Sequence, residues 1–182
     1  MKLPIASMST TFLDWPSPDG YACILFIAGC THRCPGCQSP ALQDPDAGRW
    51  CEVDADLAGF IVDYCRRSRT SDVVLSGGDP LCHAEAVQLL MDLMREREPK
   101  VRFCIYTGFD HAEASRLVHG YDFIKCGRFV REAARPSSKD DAKMVLASPN
   151  QEVWDGHGRL LSRDGVLRFG RKAYRDSIER KP

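Results

Sequence analysis

The sequence predicts an α/β protein with a mainly parallel β-sheet. Two observations support this fold class: short apolar runs typical of strands alternate along the chain with segments of helical periodicity, and glycine, proline or polar residues separate them. The length of 182 residues and an apolar content of 43% are ordinary for one globular domain. We therefore expect a single domain that spans residues 1–182.

The first strand is predicted at residues 22–28, which are apolar throughout, as in a strand covered on both faces, and which end at Gly29. A helix is predicted at residues 52–67, because apolar residues recur there at helical spacing and form a stripe that should cover the sheet. This stripe consists of Val53, Leu57, Phe60, Ile61, Tyr64 and Cys65.

Three further strands continue the pattern, and helices follow the first two of them. The strands are predicted at residues 71–76, 101–106 and 121–126, and the helices at residues 80–98 and 110–119. Beyond Arg128 the periodicity weakens. It predicts a strand at residues 142–148 and a hairpin at residues 153–161 that turns at residues 156–158.

Composition excludes several classes of function. The 25 Lys and Arg residues balance the 25 Asp and Glu residues, so a general nucleic-acid binder, which neutralises phosphates with clustered basic side chains, is not expected. The longest apolar run is too short to span a membrane, and the N-terminus lacks the apolar segment of a secretory signal. We expect a cytoplasmic protein, whose basic segment at residues 159–182 is either a docking surface or a solvated tail.

Three of the nine cysteines stand close together after the first predicted strand. Cys30, Cys34 and Cys37 have C-x3-C-x2-C spacing on a loop that contains Pro35 and Gly36. Three thiolates suit a cube of four irons and four sulfides in which one iron keeps an open position, whereas ferredoxin clusters and structural zinc normally take four ligands. An open iron can bind a substrate or cofactor directly, so the spacing predicts a catalytic 4Fe-4S cluster.

The cysteine triplet is also compatible with different chemistry. The thiols could bind zinc together with His32 or His83, Cys34 and Cys37 could form a redox dithiol, or the spacing could arise by chance. The remaining cysteines are scattered without C-x2-C pairing, which favours small buried hydrophobic residues over a second cluster. They are Cys23, Cys51, Cys65, Cys82, Cys104 and Cys126.

A second motif, Leu-Ser-Gly-Gly-Asp-Pro-Leu at residues 75–81, follows the second predicted strand in the same way. Gly77 and Gly78 allow a backbone to approach a ligand closely, and ligands bind at the carboxyl ends of parallel strands. We therefore expect this motif and the cysteine triplet to share one face. A purely structural role also fits the motif, because Asp79 suits a helix N-cap and Pro80 the first helical position.

Together these residues resemble the radical S-adenosylmethionine (SAM) enzymes, and among them the activating proteins of anaerobic ribonucleoside-triphosphate reductase. The similarity runs over residues 20–154. The motifs that carry it, in the order and approximate spacing of the family, lie at residues 25–30, 34–37, 75–81, 106–109, 127–129 and 148–151. The first three are highly specific together, and the others narrow the similarity from the superfamily to the activating proteins.

The resemblance implies a partial (βα) barrel or curved, mainly parallel sheet of the radical SAM type, with its core at residues 20–154. It implies that Cys30, Cys34 and Cys37 bind one 4Fe-4S cluster whose free iron chelates SAM. One electron then cleaves SAM to methionine and a 5'-deoxyadenosyl radical, which removes a hydrogen from a glycine of the reductase. Reduced flavodoxin or ferredoxin is the implied electron donor.

The resemblance also implies which residues contact the cofactor. It places Gly36, Cys37 and Gln38 beside the cofactor near the cluster, and the glycine pair Gly77 and Gly78 at its methionine end. Asp79 and Thr107 are further candidate contacts, and no catalytic side chain is implied beyond the cluster and SAM. Two departures stand out: Gln38 replaces an aromatic residue or histidine, and Cys126 replaces an aspartate.

Two rival functions remain. A radical SAM enzyme could act on a small molecule such as a deazapurine-type precursor, without a protein partner. A zinc or iron-sulfur module could only bind metal or carry electrons. Iron content and SAM cleavage after anaerobic reconstitution separate the binding module from both enzymes.

Overall fold

The computed structural model describes residues 1–16, 20–134, 146–163 and 165–167. Its strands are β1 (Lys2–Thr11), β2 (Ala22–Ile27), β3 (Arg49–Glu52), β4 (Asp72–Gly77), β5 (Arg102–Tyr106), β6 (Phe123–Cys126), β7 (Glu152–Asp155), β8 (Ser162–Arg163) and β9 (Val166–Leu167). Its α-helices are α1 (Ala55–Arg67), α2 (Ala84–Arg97) and α3 (His111–Leu117). Short 3-10 helices lie at Pro40–Gln43, Pro45–Ala47, Pro80–His83 and Arg131–Ala133.

Seven strands form one sheet in the order β3-β1-β2-β4-β5-β6-β7. The central strands β2, β4, β5 and β6 are parallel to one another, which confirms the predicted βα pattern. Antiparallel strands extend both sides, with β1 on β2, β3 on β1 and β7 on β6. Over the described residues the sheet is open, with β3 and β7 at its edges, so a partial barrel is not confirmed.

One face of the sheet is covered by helices. Alternate residues of the parallel strands, such as Leu25, Leu75 and Ile105, point to this face and are fully or almost fully buried. Helices α1 and α2 bring their own apolar stripes, which include Ile61 and Leu90, into the same core. Burial of each such side chain contributes about 1.5–3 kcal/mol, so this layer accounts for most of the hydrophobic stabilisation.

The opposite face carries a second, smaller core. Trp15 is fully buried there, and its ring meets that of Phe123 edge to face at 5.5 Å. Val153, Leu161 and Leu167 cover the same core from the C-terminal part of the described chain. Because strand residues alternate between the faces, the parallel strands also turn polar side chains to this side at their carboxyl ends.

The structure corrects several sequence predictions. Strands β1 and β3 were not predicted. Glu52 ends β3 instead of starting a helix, and α1 begins at Ala55 after the Asp54 side chain accepts hydrogen bonds from the N–H groups of Asp56 and Leu57. Phe60, which was expected in the buried stripe, is 60% exposed, because Ala58 and Val62 take part in the buried face of α1 instead.

The C-terminal predictions are met in part. Residues 142–145 of the strand predicted at residues 142–148 lie outside the described residues, and residues 146–148 are not in a strand. The predicted hairpin is present, since β7 turns at residues 156–158 and Trp154 pairs with Leu160. Most of the basic segment, residues 168–182, lies outside the described residues. No helix within the described ranges is both long and apolar enough to cross a membrane.

Candidate functional site

An open pocket of about 150 Å³ lies where the four parallel strands end. Its wall is built from the loop after β2, the ends of β4, β5 and β6, and the segment around Gln151. The cysteine triplet and the glycine pair both line this pocket, so the expectation that they share one edge of the sheet is confirmed. The sequence-predicted residues that line it are Cys30, Cys34, Cys37, Gln38, Gly77, Gly78, Asp79 and Thr107.

The cysteine loop, residues 29–43, is closed at its base by backbone hydrogen bonds. The N–H of Gly29 donates to the carbonyl of Leu42 at 2.8 Å, and the N–H of Cys30 donates to the carbonyl of Gln43 at 3.0 Å. Gly29 has φ +93°, a conformation that favours glycine. The triplet therefore occupies a loop whose two ends are held together beside β2.

Within the cysteine loop, backbone amides point at the thiols. The N–H groups of His32 and Arg33 face the sulfur of Cys30, and the N–H of Ser39 donates to Sγ of Cys37 at 3.4 Å. Burial raises the pKa of the Cys30 thiol. Amides directed at sulfur stabilise the thiolate form, which is the form that binds iron.

The glycine pair is the place where β4 meets the cysteine loop. The N–H of Gly78 donates to the carbonyl of Ile27, and the N–H of Asp79 donates to that of Gly29, each at 2.8 Å. A Cβ on Gly78 would lie 2.3 Å from the carbonyl oxygen of Leu42 and 2.5 Å from that of Gly29. Glycine is required at position 78 because the backbone of the cysteine loop occupies the space of a side chain.

Asp79 is buried and accepts several hydrogen bonds. It caps the 3-10 helix Pro80–His83 by accepting from the N–H of Leu81 at 2.9 Å, as the structural role of the motif requires. It also accepts from the Thr107 hydroxyl at 2.9 Å and from the N–H of Gly108 at 2.7 Å. Asp79 and Thr107 thus join the ends of β4 and β5, and the carboxylate is saturated with protein donors.

The later motifs form the far wall of the pocket. Gln151 donates from Nε2 to the carbonyl of Gly127 at 3.1 Å, and Asn150 donates from Nδ2 to that of Arg128 at 2.8 Å. The side chain of Arg131 lies against Gly36, where a Cβ would come within 2.5 Å of its Cδ. The turn at residues 148–151 therefore holds the loop after β6 against the cysteine loop.

The arrangement fits a cluster better than a single zinc ion. Among the described residues, no group of three or more His, Cys, Asp or Glu side chains converges on one metal position. The three cysteines line one pocket, which fits a cube, in which each thiolate binds a different iron. Nε2 of His83, one suggested zinc ligand, lies 3.1 Å from the carbonyl oxygen of Ala28, and His32 packs against Asp79.

Sequence reasoning missed a buried lysine in the pocket wall. Nζ of Lys125, on β6, lies 4.2 Å from the ring centre of Tyr106, whose hydroxyl donates to the carbonyl oxygen of Asp14 at 2.8 Å. Burial lowers the pKa of Lys125 to about 8, against the opposing effect of the Asp14 carboxylate. In the sequence, the only indication of this residue was a lysine within the predicted strand 121–126. The structure places its side chain on the face of the sheet opposite the helices, against Tyr106.

Replacing Lys125 by Met tests this burial. Below pH 8 the buried Lys125 of the folded protein is protonated, and burial of this ammonium lowers the free energy of unfolding. Above pH 8 the folded lysine loses its proton and this destabilisation decreases. The unfolded lysine stays protonated up to about its ordinary pKa of 10.5. We expect the free energy of unfolding of the wild type, relative to Lys125→Met, to rise by about 1.4 kcal/mol between pH 7 and pH 9. Urea unfolding of both reduced proteins measures the difference. The exposed Lys100→Met is the control, and a pH-independent difference for Lys125 would contradict the expectation.

The cysteines outside the triplet lie where small hydrophobic residues were expected, with two exceptions. Cys23, Cys65, Cys104 and Cys126 are buried, whereas Cys51 and Cys82 are partly exposed. Sγ of Cys82 lies 3.5 Å from the hydroxyl of Thr31 in the cysteine loop. Cys23 and Cys65 contact each other between β2 and α1.

Comparison with known proteins gives a consistent set of relatives. The model of a family described as 4Fe-4S single cluster domain matches residues 18–154. The chain is similar to the anaerobic ribonucleoside-triphosphate reductase-activating proteins of Vibrio cholerae (28% identity; 68% of this chain and 84% of the relative) and Haemophilus influenzae (30%; 65% and 81%). The protein of that name from phage T4 is 22% identical, over 83% of this chain and 94% of the relative. The stretch that matches the family includes every motif that lines the pocket.

Proposed function

This chain belongs to the 4Fe-4S single cluster domain family, and from that premise we propose that it activates an anaerobic ribonucleoside-triphosphate reductase by radical SAM chemistry. One observation carries the proposal: three cysteine thiols, spaced C-x3-C-x2-C, line a single open pocket at the carboxyl ends of the parallel strands. Three ligands leave one iron of a cube free for a cofactor. The names of the relatives point to the reductase as the partner.

In this proposal Cys30, Cys34 and Cys37 hold the cluster. With SAM bound, the cluster supplies the electron that cleaves SAM and starts hydrogen removal from a glycine of the reductase. The protein's part is to position these groups: amides of His32, Arg33 and Ser39 support the thiolates in the closed cysteine loop. Reduced flavodoxin or ferredoxin in the cytoplasm is the proposed source of the electron.

The remaining predicted site residues divide into two groups. Gly36 lies at the turn of the cysteine loop, and Gln38 is an exposed side chain at the pocket edge, so Gln38 is free to turn towards SAM. Gly78, Asp79 and Thr107 contact other parts of the protein, as does Gly77, whose missing Cβ leaves room for Ile27. We propose that these four residues act on SAM by fixing the shape of the pocket wall, with only their backbone atoms available to SAM.

Over the described residues the pocket is open, which suits a protein substrate. Arg128 and Phe129 stand at its rim, on the loop that Gln151 and Asn150 hold in place. A glycine-bearing loop of the reductase can enter from this side and exclude water as it docks.

The test begins with anaerobic reconstitution of the purified protein. We expect about four irons and four sulfides per chain, and cleavage of SAM to methionine and 5'-deoxyadenosine upon reduction. Incubation with SAM and an anaerobic ribonucleoside-triphosphate reductase should then produce the glycyl radical signal in electron paramagnetic resonance (EPR). One zinc per chain without SAM cleavage would contradict the enzyme, and SAM cleavage without a glycyl radical on any reductase would favour a small-molecule substrate.

A further inference from the structure

One side chain of the cysteine loop points inwards. His32 stands between two proposed iron ligands, and its side chain is only 5% exposed, although its neighbours Thr31 and Arg33 are exposed. Arg33 has φ +48°, the left-handed conformation that most residues avoid. The backbone therefore takes an unfavourable turn immediately after the residue that it buries.

His32 fills a matching space, which we call the histidine slot and which consists of Asp79, Gly108 and Phe109. Nε2 of His32 lies 2.9 Å from Oδ2 of Asp79. The imidazole meets the ring of Phe109 edge to face at 4.6 Å. A Cβ on Gly108 would lie 2.4 Å from Cδ2 and 2.8 Å from Nε2 of His32, so the slot exists only because residue 108 is glycine.

Packing, more than hydrogen bonding, holds the ring. Nε2 of His32 is buried and close to Asp79, but it makes no hydrogen bond of acceptable geometry there. The carboxylate of Asp79 is itself fixed by the donors from Leu81, Thr107 and Gly108. The slot is therefore rigid and belongs to the ends of β4 and β5, so a ring seated in it fixes the cysteine loop relative to the sheet.

We propose that His32 is a positioning residue, which fastens the cysteine loop to the ends of β4 and β5 so that Cys30 and Cys34 face the pocket. This inference rests on the proposed function for its relevance to the cluster, but the position of the loop is measurable without any metal. His32 acts through shape, with no role as an iron ligand or a proton carrier.

The first test is hydrogen exchange by mass spectrometry on the reduced, metal-free protein. His32→Ala empties the slot, and Gly108→Ala fills it with a methyl group. In each variant we expect amide exchange at residues 30–37 to be about tenfold faster than in the wild type, because the loop opens locally. Exchange in β4 and β5 should stay unchanged, which separates loss of the loop from loss of the fold.

A double-mutant cycle identifies the contact. In the wild type, the methyl group of Gly108→Ala is expected to act by displacing His32. In the His32→Ala protein there is no imidazole to displace, so Gly108→Ala should change the exchange rate by less than about twofold. A full tenfold effect of Gly108→Ala in both backgrounds would overturn the proposal. His32→Gln, whose side chain refills part of the slot, should restore part of the protection, and Thr31→Ala serves as the matched loop control.

The second test uses the reconstituted protein. In His32→Ala we expect iron content to fall at least about twofold, and the EPR signal of the reduced cluster to broaden and lose its response to SAM. His32→Ala protein with unchanged exchange and an unchanged EPR response would overturn the inference. If the wild type assembles no cluster at all, the proposed function fails, while the exchange cycle on metal-free protein still decides the role of His32.

Discussion

Cys34→Ala should lower the iron retained after anaerobic reconstitution from about four atoms per chain to nearly none. Two thiolates cannot hold a cube for which three are proposed, and Cys34 is the central cysteine of the triplet. SAM cleavage should fall below detection in the same preparation. Iron and sulfide analysis, the visible absorption of the cluster and an assay for 5'-deoxyadenosine measure the loss.

The matched control is Cys51→Ala. Cys51 is also partly exposed and lies on β3, outside the pocket wall, so this variant should keep its iron and its SAM cleavage. Cys82→Ala is a more demanding control, because Sγ of Cys82 lies beside Thr31 of the cysteine loop. A Cys34→Ala protein that binds four irons, or a Cys82→Ala protein that binds none, would show that the ligand set is wrong.

Gly78→Ala is expected to have the second largest effect. Its Cβ would lie 2.3 Å and 2.5 Å from two carbonyl oxygens, so β4 and the base of the cysteine loop must move apart. Both neighbours are backbone atoms that no rotamer change can remove, and we expect a loss of about 3 kcal/mol in the free energy of unfolding. Because the loop that carries the thiols is displaced, iron binding should fall several-fold even where the protein remains folded.

Gly158→Ala is the control for replacing a glycine where no atom lies close to the added methyl group. Gly158 has φ +76°, but a Cβ there would meet nothing within 4 Å. Its substitution should cost only the backbone strain, about 1 kcal/mol, and leave iron binding unchanged. Urea unfolding of the metal-free proteins, followed by reconstitution, compares the two variants. Gly78 has no positive φ, so a loss at position 78 no larger than that at position 158 would contradict the role of close approach to the cysteine loop.

The central sheet and the location of the site were predictable because their signals are local. Each parallel strand is a short apolar run, and the loop at its carboxyl end carries the chemistry, so the topology rule for ligand sites places the triplet and the glycine pair together. The N–H groups of Gly78 and Asp79 donate to carbonyls at the end of β2, so the two motifs are in direct contact, as the rule predicts. The N-cap role of Asp79 was equally readable from the Asp-Pro pair.

Some features depend on partners that are distant in sequence. Strand β1 contains Pro4, a residue type that disfavours strands, but the proline lies in an antiparallel strand and its carbonyl accepts the N–H of Ala28 at 2.8 Å. The burial of His32 depends on the absence of a side chain at Gly108, 76 positions later in the chain. Lys125 on β6 faces Tyr106 on the paired strand β5 and Asp14, which follows β1, so three distant parts of the chain must come together. The spacing of apolar residues along the sequence does not indicate such contacts.

The closed base of the cysteine loop has a consequence for the order of assembly. Its hydrogen bonds join Gly29 and Cys30 to Leu42 and Gln43 through backbone atoms, and both hydrophobic cores form without any thiol of the triplet. Neither these hydrogen bonds nor the two cores involve a proposed iron ligand side chain. The contacts that shape the pocket wall can therefore form before any cluster is bound.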